Sequence, residues 1–200
     1  LEFVIPFIHK STLLAPNGKI ALLAPTKILT NTLKPAQNFR NWLFNENYVE
    51  KIYNLSILRK APKTFGGQLF SSAIVPASIY FFQPKAPERI SKTIEYWAPK
   101  TYIKNHLAEG VIIDSSDIKY LPRSECNKKN TKIWKIAQWG SLNDLNLLNK
   151  LEKNSISFKK FIEKNNIITG VGFQLLSKKE TKIKEDKNLC KLPYLKASSI

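Results

Sequence analysis

Methionine is absent from this 200-residue sequence, and it holds only two cysteines, two histidines and seven glycines. A natural chain normally starts with Met, so the expectation is that Leu1 is an internal residue of a longer protein. Cys126 and Cys190 lie far apart and belong to no Cys-x-x-Cys or Cys/His spacing. That argues against a structural zinc site and fits thiols in a reducing cytoplasm. His9 and His106 stand alone, with no neighbouring acid or nucleophile pattern, and read as surface or packing residues. Ser and Cys nucleophile motifs are lacking. Asp114 and Asp117 are three apart, but their flanking serines mark a turn rather than a nuclease centre. Charge, Pro or Asn breaks every apolar run well short of the ~20 residues that span a membrane. The start of the chain has no basic region followed by an apolar run, so no signal peptide is evident.

Acidic residues are scarce as well. Fifteen Asp and Glu face 32 Lys and Arg, for a net charge of +17 and a pI near 9.8. Residues 1–84 carry nine basic and three acidic side chains, and residues 85–200 carry 23 and 12. The surplus is spread over the chain rather than held in a tail. A distributed surplus of this size favours a polyanionic partner, most simply nucleic acid. The competing reading is solubility with a lysine-rich codon bias, which the many Lys, Asn and Ile residues also suit. Hydrophobic content of 43% is enough for a core, and the length suits one ordinary domain or one and a half small ones.

What is present has an order. Residues 3–14, FVIPFIHKSTLL, repeat apolar positions on a helical period, with Pro6 close enough to the start to be tolerated. Pro16-Asn17-Gly18 stops that helix and turns the chain. Lys19–Ala24 is a nearly continuous apolar run, the pattern of a strand buried on both faces, and Pro25 ends it. Residues 30–45 suit a helix with Pro35 near its first turn and Leu33, Phe39, Trp42 and Leu43 on one face. Tyr48–Ser56 reads as a second strand, residues 59–70 as a mobile loop, and Ser72–Phe82 as a third strand. Pro76 near the start of that third strand predicts an edge position, a bulge or an irregular beginning. Residues 90–108 read as a helical connector, Gly110–Ile118 as a short strand and turn, and 121–132 as an exposed linker. Ser141–Leu151 predicts a helix capped by Ser141 and Asp144, with Leu142, Leu145, Leu148 and Leu151 on one face. Phe158–Lys164 reads as another helix and Ile167–Leu176 as a strand.

Three segments carry a family resemblance. LLAPNGKIALLAPTKIL resembles the fifth motif of gamma-class adenine-N6 DNA methyltransferases, VEKIYNLSILR the strand that follows it, and SSAIVPASIYFFQP the eighth motif. The resemblance implies an α/β fold: a partial Rossmann-like class I methyltransferase sheet, its last strands only, followed by a smaller α+β segment. Residues 1–84 would be the carboxyl-terminal half of the catalytic domain, 85–132 a connector, and 133–200 the start of a DNA target-recognition region. The resemblance further implies transfer of a methyl group from S-adenosylmethionine to adenine N6 in restriction–modification. It places Pro25 and Thr26 on the cofactor side and Phe82 against the flipped-out adenine, with Tyr80 and Phe81 as neighbours one register away. The physical logic is that an adenine must leave the duplex stack to react, and an aromatic side chain replaces the stacking it loses. On that view the tip of the strand after Gly18 and the aromatic tip near Gln83 lie side by side and form one wall of a pocket.

The sequence departs from the family where catalysis would sit. The glycine motif for S-adenosylmethionine and the Asn-Pro-Pro-aromatic tetrad are not in these residues. The segment alone is therefore expected to be inactive, with its missing amino-terminal half and double-stranded DNA as partners, no membrane, and a cytoplasmic location. Lys128, Lys129, Lys132 and Lys135 around Trp134 form one candidate DNA-binding cluster, and Lys178, Lys179 and Lys182, with Lys184 and Lys187, form another. Gly170, Gly172 and Phe173 suit a tight turn beside DNA, although Gly-x-Gly alone is weak evidence. A non-enzymatic nucleic-acid-binding module, or an RNA or protein methyltransferase of similar architecture, remains as the alternative.

Overall fold

The computed structural model describes residues 3–60, 75–104, 109–167 and 169. Contacts divide the chain into a unit spanning residues 1–155 and another spanning 156–200. The first is mixed α/β, built on a five-stranded, mostly antiparallel sheet.

Helix α1 covers Val4–Leu14, and Ala15–Gly18 turns the chain into strand β1, Ile20–Pro25. A single turn, α2 (Lys27–Thr30), precedes α3 (Lys34–Glu46), whose Pro35 occupies the first turn where no amide bond is lost. The predicted helix over 30–45 is α3, which starts four residues later than expected, and an elbow separates it from the short α2. Arg40 holds that elbow: its Nη1 donates to the carbonyls of Ile28 (2.8 Å) and Asn31 (2.7 Å). Strand β2 is Tyr48–Asn54, a 3-10 turn covers Ser56–Lys60, and β3 is Ala77–Gln83.

The chain then departs from the predicted connector. Thr93–Trp97 is strand β4, Thr101–Lys104 is β5, Glu109–Ile112 is β6 and Ile118–Pro122 is β7. Strands β5 and β6 pair as a separate hairpin. Strand β4 joins the main sheet beside β2, and β7 adds beyond it, so the sheet runs on past residue 84. Ile94 and Tyr96 point into the core while Thr93, Glu95 and Trp97 do not, the period of two that a half-buried strand requires. The expected linker over 121–132 holds a helical turn, α4 (Arg123–Cys126), whose Cys126 is buried. Helices α5 (Ile133–Trp139) and α6 (Leu142–Asn154) complete the unit, and α6 opens with the predicted Ser141/Asp144 capping box.

The strand order is β1-β3-β2-β4-β7. Strand β3 is antiparallel to both β1 and β2, so those two run parallel to one another with a reversed strand between them. Pro76 marks an irregular start to a central strand, and its carbonyl accepts from Thr26 N–H at 2.9 Å. Strand β1 is an edge strand of this sheet, and Leu23 on it is 43% exposed, so it is not buried on both faces as its apolar run suggested.

One core joins Ile8, Phe39, Leu43, Phe44, Ile52, Tyr80, Phe82, Tyr96 and Trp134. Trp134 stacks on Phe44 (4.9 Å between centroids) and meets Tyr96 edge-on (5.9 Å). The opposite face of the sheet carries Tyr53, Phe81 and Trp97, with Tyr53 lying 5.0 Å from Phe81 and 4.6 Å from Trp97. Lys51 Nζ sits over both Tyr53 and Phe81.

Burial sets one measurable property of this core. The Cys126 thiol is pushed from its ordinary 9.0 up to about 12, and the Tyr96 phenol from 10.0 to about 12. Both groups hold their proton more tightly folded than unfolded. The stability this contributes is complete below the unfolded values and is lost as pH rises through about 12. Urea midpoints are therefore expected to fall above pH ~9, and Cys126→Ala is expected to flatten the first part of that fall. A midpoint that rises between pH 9 and 11 overturns the assignment.

In the second unit, helix α7 spans Phe158–Lys164, as its sequence predicts, and Ser157 caps it by accepting from Lys160 N–H. The predicted strand over 167–176 lies almost wholly outside the described residues. Among the described residues no helix is long and apolar enough to cross a membrane.

Candidate functional site

Strands β1, β2 and β4 all point the same way, and their carboxyl ends bring together polar side chains that are otherwise rare in this core. Thr26 follows β1. Its hydroxyl shares a 2.6 Å hydrogen bond with Ser78 at the start of β3. Ser56, just past β2, reaches Thr26 Oγ1 at 3.3 Å and also donates to Asn54 Oδ1. Asn54 Nδ2 donates to the Tyr96 hydroxyl of β4 at 2.8 Å. Tyr80 adds a 3.3 Å bond from its hydroxyl to Pro25 O. Thr26, Asn54, Ser78 and Tyr96 are all buried. Buried polar atoms need partners, and these take them from one another across four strands.

The position follows from the sequence locally. Pro25 ends β1 because it donates no ladder bond, which leaves Thr26 as the first residue past the sheet. Asn54 closes β2 by folding its own Oδ1 back onto Ser56 N–H (2.9 Å), a turn made by a side chain. Ser78 is small enough to lie under both.

A cavity of about 140 Å³ opens beside Asn54 and Ser56, bounded by Ile57, Pro99, Gln138 and Trp139, with Lys100 at its rim. Lys100 Nζ pairs with the buried Asp117 at 2.7 Å. Beyond Trp139 a larger cavity of about 580 Å³ lies between β7, α5 and the start of α6. Lys119 lies alongside it, donates to Ala137 O at 2.6 Å, and has its pKa lowered by burial. The polar cluster holds no carboxylate, imidazole or thiol, and its titratable groups are the phenols of Tyr80 and Tyr96. Among the described residues no cluster of His, Cys, Asp and Glu could hold a metal ion.

Of the sequence candidates, Pro25 and Thr26 fall inside this site. Phe82 does not. It is 2% exposed, packed in the core, and paired with Ile20, whereas Pro25 pairs with Ala77. The two tips expected to lie side by side are at opposite ends of β1, about 17 Å apart for five residues of strand. The reason is direction: β3 runs antiparallel, so its carboxyl end meets the amino end of β1. Phe82 also shares its face with Tyr80, and a base cannot reach a ring buried there. Phe81 is the neighbour on the outer face.

The lysine cluster also changes character. Trp134 is 1% exposed and belongs to the core. Lys128 pairs with Glu125 and Lys132 with Glu152, so both charges are partly neutralised. Lys129 and Lys135 are exposed. Lys178, Lys179, Lys182, Gly170, Gly172 and Phe173 lie outside the described residues. Asn54, Ser56, Ser78, Gln138 and Trp139 were not singled out from sequence. The available signal was positional: Asn54 and Ser56 are polar residues at the carboxyl end of β2, where open α/β sheets place ligands, and Ser78 opens the antiparallel strand beside it. No family model matches this sequence, and a search of curated proteins finds no match to it.

Proposed function

We propose that residues 20–83 are the closing strands of a class I methyltransferase sheet, and that the whole protein transfers a methyl group from S-adenosylmethionine to adenine N6 of DNA. The observation that carries this reading is the strand order: two parallel strands, β1 and β2, with the later strand β3 inserted between them in reverse. That arrangement accompanies the sequence resemblance of the same three segments. Further support comes from the net charge of +17, which suits a polyanionic substrate, and from the polar cluster at the carboxyl ends.

S-adenosylmethionine is not held by the described residues alone. The cluster at the carboxyl ends contains no acidic side chain for ribose hydroxyls, and its hydroxyls are already bonded to one another. Pro25 and Thr26 form at most one wall of such a site. The remaining strands would pair along the open edge of β1, where the unpaired backbone of an edge strand is available. The stacking role does not belong to Phe82.

The test is incorporation of labelled methyl groups by a longer polypeptide that contains this chain together with a glycine motif and an Asn-Pro-Pro tetrad. Label in duplex DNA, with none transferred by the 200-residue chain alone, is the expected result. Label confined to RNA or to protein overturns the substrate, and no label in any of the three overturns the reaction.

A further inference from the structure

We propose that the 140 Å³ cavity beside Asn54 and Ser56 is a binding site for one unstacked nucleobase, held face-on by the Trp139 indole and read along its edge by the Gln138 amide. Three observations converge on it.

The first is the indole. Trp139 is 72% exposed, yet it borders this cavity and the larger one beside it. It is the last residue of α5, and Gly140 N–H bonds back to Ile136 O at 2.6 Å to close the helix. A Cβ at residue 140 would meet Asp144 Oδ2 at 2.7 Å, and that oxygen is already fixed on Ser141 N–H (2.7 Å) and Ser141 Oγ (2.9 Å). The backbone next to Trp139 is thus held at both sides while its ring is left open. An open aromatic face on a basic protein is a stacking platform for any base.

The second is the amide. Asn54 has both ends of its side chain committed, to Tyr96 and to Ser56, and Lys100 is committed to Asp117. Gln138 borders the same cavity and makes no hydrogen bond to a described residue. A primary amide offers one donor and one acceptor side by side, the pair that a nucleobase edge complements.

The third is size and place. The cavity is well below the range that encloses a drug-sized ligand, so it takes a single ring system and not a peptide. It lies at the carboxyl ends of β2 and β4, where ligands bind to open α/β sheets. The net charge of +17 suits the phosphate attached to such a base.

The site depends on the nucleic-acid part of the reading above and not on methyl transfer, because binding needs no methyl donor. The base can come from a single strand or from a free nucleotide. The experiment uses the 200-residue chain, titrated with an oligothymidylate carrying one 2-aminopurine and, separately, with 2-aminopurine riboside monophosphate. Stacking on indole quenches the probe. Tighter binding of the oligonucleotide assigns the base to a strand, and tighter binding of the monophosphate assigns it to a free nucleotide. Trp139→Leu, which keeps apolar bulk, is expected to weaken binding about tenfold and abolish the quench. Gln138→Leu is expected to weaken binding about fivefold with the quench retained. Because Trp139 is so exposed, its variant should melt with the parent, and that is measured alongside. Wild-type affinity and quench in Trp139→Leu for both probes overturn the proposal, whatever the methyl-transfer assay shows.

Discussion

Replacing Trp134 with alanine is expected to cost about 3–5 kcal/mol, the range for deleting a large buried aromatic. The side chain is 1% exposed and joins its own helix to two other elements of the unit. It stacks on Phe44 of α3, meets Tyr96 of β4 edge-on, and belongs to α5 itself. Its loss would leave a void where three elements converge, and close-packed surroundings fill such a void only in part. Phenylalanine separates packing from polarity. The indole Nε1 is buried with no hydrogen-bond partner. Trp134→Phe therefore removes an unsatisfied donor along with some volume, and its cost should be well under half that of alanine. Urea unfolding of the three chains at one pH checks the order. Equal costs for Ala and Phe would mean that a smaller ring at this position recovers neither the packing nor the stacking on Phe44.

The second large effect is expected at Arg40. Its side chain is 6% exposed, and burial lowers its pKa; a guanidinium stays charged in proteins. The guanidinium holds two carbonyls of the elbow between α2 and α3. Hydrogen bonds from a charged donor contribute about 1.5–3 kcal/mol each, and the acceptors left behind are costly when they stay dry. Arg40→Met keeps much of the volume and removes both donors, so a loss of about 2–4 kcal/mol is expected. Arg40→Lys, with one compact head group, should recover part of it. The elbow begins directly after Thr26, so the same substitution should loosen the Thr26–Ser78 contact. A combined readout of urea midpoint and amide exchange at residues 26–31 tests this. Unchanged exchange at Thr26, with lowered stability, would confine the role of Arg40 to the helices.

Much of the framework was readable from residues. Helix α1, strands β1 and β2, the capped helix α6 and helix α7 appear where periodicity, Pro25 and the Ser141/Asp144 pair put them. What failed was whatever depended on partners. Thr93–Trp97 is only five residues long, and its alternation is too brief to stand out beside Pro99. It is a strand because β2 offers it a parallel edge, a fact absent from the local sequence. Cys126 and Ile133 anchor a segment whose many Lys and Asn residues read as a solvated linker. Apolar content showed that β1 is a strand but wrongly suggested burial on both of its faces. The same limit explains the site. Thr26 could be named because a strand end is a local property. Phe82 was misplaced because an antiparallel strand and a parallel one look alike in sequence and carry their tips to opposite ends of the sheet. Asn54, Ser78 and Tyr96 meet only through the strand order, which no spacing in the chain encodes.

The reversed middle strand has a consequence for how the chain is made. Strands β1 and β2 are joined only through β3, which emerges from the ribosome after both. Until Ala77–Gln83 has been synthesised, the two earlier strands have nothing to zip onto in common, and α3 hangs between unjoined halves. Insertion of β3 is therefore the event that converts a string of local elements into one sheet.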